Sequence, residues 1–349
     1  MIKFLIPMLM ITFTYGVVVG KYKAFPYNQI KFIEDLVTIG LDKAIKEKEI
    51  NSEIEKRVQQ EAELSAKKEA QKKEAELRAR KEAQKKNDYK AQFKISKRIS
   101  PKNNGEVIFD SSREVIKCPD KRENLGVLVS FGQSNSANSA EYLVKSEEVP
   151  DVINWYKGKC YQAKSPLLGA TNIYGEWISL VGQKLVNKKV YDKVLIMSIG
   201  VGGSSIIAWQ KGGVVYDRFV NRLTQLKKSY KITEMLWHQG ETDVYWMGKD
   251  QYIKSFLSME NSIRDIGIDA PIFISIATYC WGNPDTFPNV IAEAQNEIPK
   301  IIKNTFQGVN TDKLLKPEHR HDNCHFNEAG QRLASTSAAN IIIKNHKKF

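Results

Sequence analysis

The stretch Gly126-Val-Leu-Val-Ser-Phe131-Gly132-Gln133-Ser134-Asn135-Ser136 decides the fold of roughly the last two thirds of this chain. A short run dominated by Val, Leu and Phe has the length and composition of a buried strand. It stops at Gly132, where the absence of a Cβ lets the chain turn sharply, and a cluster of Gln, Ser and Asn follows. Three more runs share the pattern: Val194-Leu-Ile-Met-Ser-Ile199, Met235-Leu-Trp237 with its approach, and Ile272-Phe-Ile-Ser-Ile276. Between and after them lie helical segments, expected at Glu176–Val186, Arg218–Lys228, Gln251–Asp265, Val290–Lys303 and Asn327–Lys344. Strands alternating with helices of this length predict βαβ units and a parallel sheet covered on both faces. Ligands of such sheets bind beyond the carboxyl ends of the strands, which is where the polar clusters fall.

Four clusters carry the chemistry. After the first strand, Ser134 is exposed on a turn whose backbone amides can face a developing oxyanion; a Ser/Asn helix cap is the plainer alternative. After the second, Gly200-Val-Gly-Gly-Ser-Ser205 presents backbone N–H groups. It misses the dinucleotide fingerprint, because Ser205 stands where the third glycine belongs. After the third, Trp237-His-Gln-Gly-Glu-Thr-Asp243 packs more hydrogen-bonding side chains together than a turn requires. Gln239 can donate to an oxyanion, Glu241 and Asp243 can orient neighbours, and His238 fits a structural role better than a basic one. Before the last helix, Glu318-His-Arg-His-Asp-Asn-Cys-His325 places Asp322 three residues from His325. In a loop, that spacing lets the carboxylate reach Nδ1 and leaves Nε2 free as a base. His319, His321, Cys324 and His325 form a competing metal-ligand set, but no second ligand cluster exists elsewhere in the sequence.

In chain order these clusters are Gly132-Gln-Ser-Asn135, Gly202-Gly-Ser-Ser205 with Trp209, Trp237-x-Gln-Gly-Glu-x-Asp243 and Asp322-x-x-His325-Phe326. Together they resemble the sialate O-acetylesterase-type carbohydrate esterases, a branch of the SGNH/GDSL hydrolases, from about Asn124 to the C-terminus. The resemblance implies a flavodoxin-like three-layer αβα sandwich. It implies Ser134 as nucleophile, His325 as base and Asp322 as its orienting acid. It also implies an oxyanion hole of the Ser134 amide, the Gly203 amide and the Gln239 side chain, so that Gln239→Ala would be crippled but folded. Asn135, Gly202, Glu241, Asp243 and Trp209 are supporting or substrate-side candidates. The implied reaction removes O-acetyl groups from carbohydrate and needs neither metal nor organic cofactor. Gly-Gln-Ser in place of Gly-Asp-Ser, and Gln-Gly-Glu in place of Gly-x-Asn-Asp, depart from the wider superfamily in the manner of this branch. An esterase of other small acyl esters and a non-catalytic scaffold are the alternatives. Tyr161, Tyr174, Trp209, Tyr245, Trp246, Tyr279 and Trp281 lie near the clusters, where they can stack on sugars or fill the core.

The N-terminal third is of another kind. Phe4 to Gly20 carries no charge and is flanked by lysines, which suits an uncleaved membrane anchor spanning 1–23, with a cleaved signal peptide as the competitor. Either implies export of the catalytic domain to a periplasmic or extracellular space, anchored in the first case and secreted in the second. A mixed segment and a charged helical stalk follow over 24–86. From Asp42 the stalk is rich in Ala, Glu, Lys, Gln and Arg, without Gly or Pro, and partly repeats after 13 residues. Large apolar residues are too sparse for a strong coiled coil, so a solvated spacer is expected, with self-association as the further role. A polar linker is expected over 87–117 and the esterase domain over 118–349. Residues 41–104 hold 19 Lys/Arg against 12 Asp/Glu, more than half of the net charge of +13. The basicity therefore belongs to the stalk and does not point to nucleic acid. Cys118, Cys160, Cys280 and Cys324 allow two disulfides in an exported chain, in any of three pairings. A Cys280–Cys324 bridge would tie two loops of the site together.

Overall fold

Alternate residues of the central strands enter two separate apolar layers, and this period of two builds the domain. Val127, Val129, Phe131, Leu195, Met197, Met235, Trp237, Ile272 and Ile274 pack on one face with Phe219, Leu223, Phe256, Met259 and Ile298. Leu128, Val194, Ile196, Leu236 and Phe273 pack on the other with Val181, Leu185, Ala334, Ala338 and Ile342. A sheet covered on both faces is the three-layer arrangement expected of an SGNH-like fold.

The structure is a computed structural model that describes residues 27–101, 107–110, 113–121, 124–281 and 289–346. The chain divides into two compact units, Met1–Lys85 and Lys86–Phe349. Helix α1 (Tyr27–Arg98) starts well before the expected stalk and continues into the stretch expected to be linker. Its surface carries i,i+4 ion pairs such as Glu53–Arg57 and Glu69–Lys73. These are exposed, so helix propensity contributes more than pairing. The expected anchor, residues 4–20, lies outside the described residues; among those described, no helix is long and apolar enough to cross a membrane.

The second unit holds a small antiparallel pair, β1 (Ile99–Pro101) and β2 (Val107–Asp110), and one large sheet. The sheet comprises β3 (Val115–Ile116), β4 (Leu125–Gly132), β5 (Val152–Tyr156), β6 (Lys159–Gln162), β7 (Lys193–Ser198), β8 (Glu234–His238), β9 (Ile272–Ile276) and β10 (Thr305–Asn310). Its order is β10-β9-β8-β4-β7-β5-β6-β3. The expectation of an all-parallel sheet is corrected at one edge: β5 to β6 is a tight hairpin and β6 to β3 is antiparallel. The other pairings are parallel. Helices α2 (Ile178–Asn187) and α7 (Glu328–His346) cover one face. Helices α3 (Tyr216–Ser229), α4 (Lys249–Asp265) and α5 (Val290–Ile301) cover the other. The one-turn α6 (Thr311–Leu314) follows β10 directly.

Both disulfides form, Cys118–Cys160 and Cys280–Cys324. The first ties the segment after β3 to β6 at the antiparallel edge, and the second belongs to the site.

One buried acid sits at the opposite end of the sheet. Glu234 opens β8 almost without exposure, bonded to Tyr191 Oη and Thr233 Oγ1, with His346 Nδ1 at 3.7 Å. Burial raises its pKa from 4.5 to about 7, against the opposing effect of Thr233 and Tyr191. The folded chain therefore holds this proton more tightly than the unfolded one, so the carboxyl's contribution is full at low pH and is lost as pH rises through about 7. Glu234→Gln should abolish a stability loss of roughly 3 kcal/mol between about pH 5 and pH 8. Urea unfolding of both proteins at the two pH values measures it; parallel slopes would remove the assignment.

Candidate active site

The site is built where β4 and β8 end side by side. Gly132 has φ +133°, and a Cβ there would lie 2.0 Å from the His238 carbonyl oxygen, so only glycine lets the two strands approach. The next residue fastens the junction. Gln133 N–H donates to His238 O at 3.0 Å, and Gln133 Oε1 accepts from Gly240 N at 3.3 Å and Thr242 N at 3.1 Å. Gln133 drew no separate role from the sequence, yet its reach across to the β8 turn is a physical reason for Gln rather than Asp before the serine. Ser134 then opens a single 3-10 turn, Ser134–Ser136. The residue is 8% exposed.

Among the described residues, the backbone amides of Ser134 and Gly203 donate no intramolecular hydrogen bond. The turn Val201–Ser204 closes by Ser204 N donating to Val201 O at 3.2 Å, with Gly203 exposed at φ +68°. Gly202 is the less suitable glycine, because its N–H donates to Thr171 Oγ1 at 2.8 Å. The turn is held close to the serine by Val201 N donating to Gly132 O at 2.9 Å.

Gln239 is placed otherwise than expected. It is wholly buried, and Nε2 donates to Asp243 Oδ2 at 2.7 Å, Ser204 O at 3.2 Å and Gln133 Oε1 at 3.3 Å. Its Oε1 accepts from Tyr252 Oη at 3.0 Å. A side chain so engaged is part of the frame behind the serine and has no free N–H for an oxyanion. Asp243, buried, also accepts from Ile206 N at 2.8 Å; burial raises its carboxyl pKa despite these donors. Trp209 takes the core-filling alternative. It lies in the core against Trp237 and Phe219, and its indole N–H donates to Ser204 Oγ at 2.9 Å from beneath the turn.

Asn135 and Glu241 form a second buried layer. Asn135 Nδ2 donates to Glu241 Oε1 at 2.9 Å, and His238 Nε2 lies 3.4 Å from the same oxygen. Burial pushes the Glu241 carboxyl up, but His238 and Asn135 outweigh it and leave the pKa below its usual value. His238 packs edge-on between Trp177 and Phe326, which fits the structural role expected of it.

The Asp322–His325 loop follows α6. His325 Nδ1 lies 2.7 Å from Asp322 Oδ2, while Asp322 Oδ1 accepts from His325 N at 2.7 Å and Cys324 N at 3.0 Å. Partial burial raises the Asp322 carboxyl, but the His325 imidazole and amide outweigh it and hold the acid well below its ordinary range. The loop is anchored on both sides. Towards the serine, Glu141 N donates to Phe326 O at 2.8 Å and His321 Nε2 lies 3.2 Å from Ser139 O. Towards β9, Cys324 is bridged to Cys280 and Trp281 N donates to Asn323 O at 2.9 Å. Arg320, unremarked in the sequence, is buried beneath the loop, donates to Cys324 O at 2.5 Å and stacks on Tyr279. Among the described residues no hydrogen bond joins Ser134 to His325; the structure closes the Asp322–His325 pair and brings the two loops into contact.

The metal-ligand set is narrowed. Cys324 is in a disulfide and His319 Nδ1 accepts from Lys316 N, leaving His321, Asp322 and His325 with ligand atoms within 4.8 Å of one another.

Residues 124–344 match the family described as carbohydrate esterase, sialic acid-specific acetylesterase. The chain belongs to that family. It is therefore a carboxylic ester hydrolase, as the sequence clusters indicated. Among solved structures it is similar to a protein from Arabidopsis thaliana, at 18% identity and TM-score 0.52, over 64% of this chain and 99% of that one. It is also similar to NanS, at 19% identity and TM-score 0.50, over 67% of this chain and 100% of NanS. At these identities the likeness is one of fold. No curated protein matches the chain.

The corrected place of Gln239 has a measurable consequence. Gln239→Ala leaves Asp243 and Tyr252 without their amide partner, and should lower unfolding free energy by about 2 kcal/mol or more. Urea denaturation checks this; a variant of unchanged stability but crippled esterase activity would restore the side chain to the oxyanion hole.

Proposed function

We propose that this esterase removes O-acetyl groups from carbohydrate through a Ser134–His325–Asp322 triad and an acetyl-enzyme intermediate. The observation that carries the proposal is the 2.7 Å Asp322–His325 contact at Nδ1, on a loop packed against the residues that follow Ser134. It leaves Nε2 as the nitrogen available for proton transfer. Serine–histidine hydrogen bonds in ligand-free hydrolases are often long and tighten when substrate binds.

Ser134 Oγ attacks the acetyl carbonyl carbon while His325 Nε2 takes the hydroxyl proton. The carbonyl oxygen, now anionic, accepts from the Ser134 and Gly203 amides, which among the described residues have no competing intramolecular acceptor. The tetrahedral adduct collapses, the carbon–oxygen bond to the sugar breaks, and His325 returns the proton to the leaving alkoxide. Water then attacks the acetyl-serine with His325 again as base, releasing acetate and Ser134. Asp322, held ionised, fixes the imidazole tautomer and stabilises the imidazolium. Family membership supports an acetylated sugar as substrate.

We place the catalytic domain outside the cell membrane, tethered by residues 4–20 with the charged helix as spacer. The apolar character of that segment and the exported type of cysteine usage support this. Self-association of the spacer would run through its exposed Leu41, Ile45, Ile54 and Val58.

Ser134→Ala should abolish hydrolysis of 4-nitrophenyl acetate, and a serine-directed phosphonate should label Ser134 alone. Asp322→Asn should lower kcat on the order of 10⁴-fold with the fold intact. Full activity in Ser134→Ala, or labelling at another serine, would refute the triad.

A further inference from the structure

The leaving sugar must sit on the His325 side of Ser134, because His325 is the group that returns its proton. That side is the rim formed by the turns after β8 and β9, and it carries three exposed aromatic rings: Tyr245 (58% exposed), Trp246 (55%) and Trp281 (68%). Large apolar side chains are normally withdrawn from water, and here three are left out together on two adjacent turns. The turns are not loosely placed. Tyr245 Oη donates to the Cys280 carbonyl at 2.8 Å, Trp281 N donates to Asn323 O at 2.9 Å, and Cys280 is bridged to Cys324, the neighbour of His325. Tyr245 and Trp246 in turn follow Asp243, which is bonded to Gln239 and to Ile206 N behind the serine. The backbone that carries the rings is thus fastened to the base and to the frame of the nucleophile, while the rings face solvent.

From this placement we infer that Tyr245, Trp246 and Trp281 form a stacking platform for the pyranose rings adjoining the acetylated sugar, so that the enzyme's substrate is a glycan chain and not a free acetylated monosaccharide. Pyranose rings present flat faces of C–H groups to the electron-rich faces of indole and phenol, and their hydroxyls stay hydrated at the platform's edge. A single acetyl group offers little to bind; rings on the leaving-group side add affinity without obstructing the acyl pocket. The inference rests on the triad assignment for the direction in which the sugar lies.

The test uses the full chain with two substrates, 4-nitrophenyl acetate and chemically acetylated cellopentaose. Trp281→Ala and Trp246→Ala should each raise KM for the oligosaccharide about tenfold with kcat within about twofold, and Trp281→Phe should recover most of the loss. In Ser134→Ala, acetylated cellopentaose should shift tryptophan fluorescence, and Trp281→Ala in that background should remove the shift. Unchanged KM in both tryptophan variants, with the small ester still hydrolysed, would overturn the platform and leave the triad standing. An equal fall on both substrates would also overturn it, since the rings would then serve the His325 loop. A folded wild-type protein inert towards 4-nitrophenyl acetate would overturn the triad instead, and the fluorescence titration would still report whether the rim binds glycan.

Discussion

Everything at the site depends on how closely β4 and β8 approach at their carboxyl ends. The contact of Gly132 with the His238 carbonyl is tighter than any side chain permits, and Gln133 reaches over the junction to hold the amides of Gly240 and Thr242. The two strand ends are thus locked at the residues that lead into Ser134. The turn carrying Gly203 is joined to the same point through Gly132 O, so Ser134 and the Gly203 turn share a single origin.

Behind that origin lies a buried polar frame. Gln239 links Asp243, Ser204 and Tyr252, and Gln295 Nε2 donates to the Gln239 carbonyl at 2.6 Å while its Oε1 accepts from Ala277 N at 3.0 Å. Residues of β8, α4, α5 and the end of β9 are thereby bonded to one another where apolar packing alone would leave backbone groups unpaired. Such frames are costly when incomplete and rigid when satisfied. The proposed mechanism calls for such rigidity, since its donors must already point at the anion before it forms.

The four central strands were legible because their apolar runs end at glycine or polar clusters, and the helices because the segments between are long and periodic. Strands β5 and β10 were not. Val152–Tyr156 is short and has Asn154 at its centre, whose amide is satisfied by Leu168. Thr305–Asn310 mixes Gln and Gly into an edge strand with irregular register. Asp322 and His325 could be paired from their spacing alone, since the contact is local. The fate of Gln239 could not, because whether an amide is free or engaged depends on Ser204, Asp243 and Tyr252, which arrive from separate segments. Trp209 was left open between sugar and core for the same reason: an indole near a site motif looks identical in sequence in either place. Arg320 gave no signal because its hydrogen-bond partners are backbone carbonyls, which leave no trace in side-chain patterns.

The carboxylate of Asp322 grips its own loop twice over, through the imidazole it orients and through the amides of Cys324 and His325. Asp322 and His325 are consequently a local cassette, held together by contacts within one loop. Drift of the cassette as a body would alter its distance to the serine and leave its internal tautomer and orientation untouched. In the proposed triad the alignment problem is thereby reduced from two joints to one, and the bridge from Cys324 to Cys280 fastens the cassette's loop to the segment after β9.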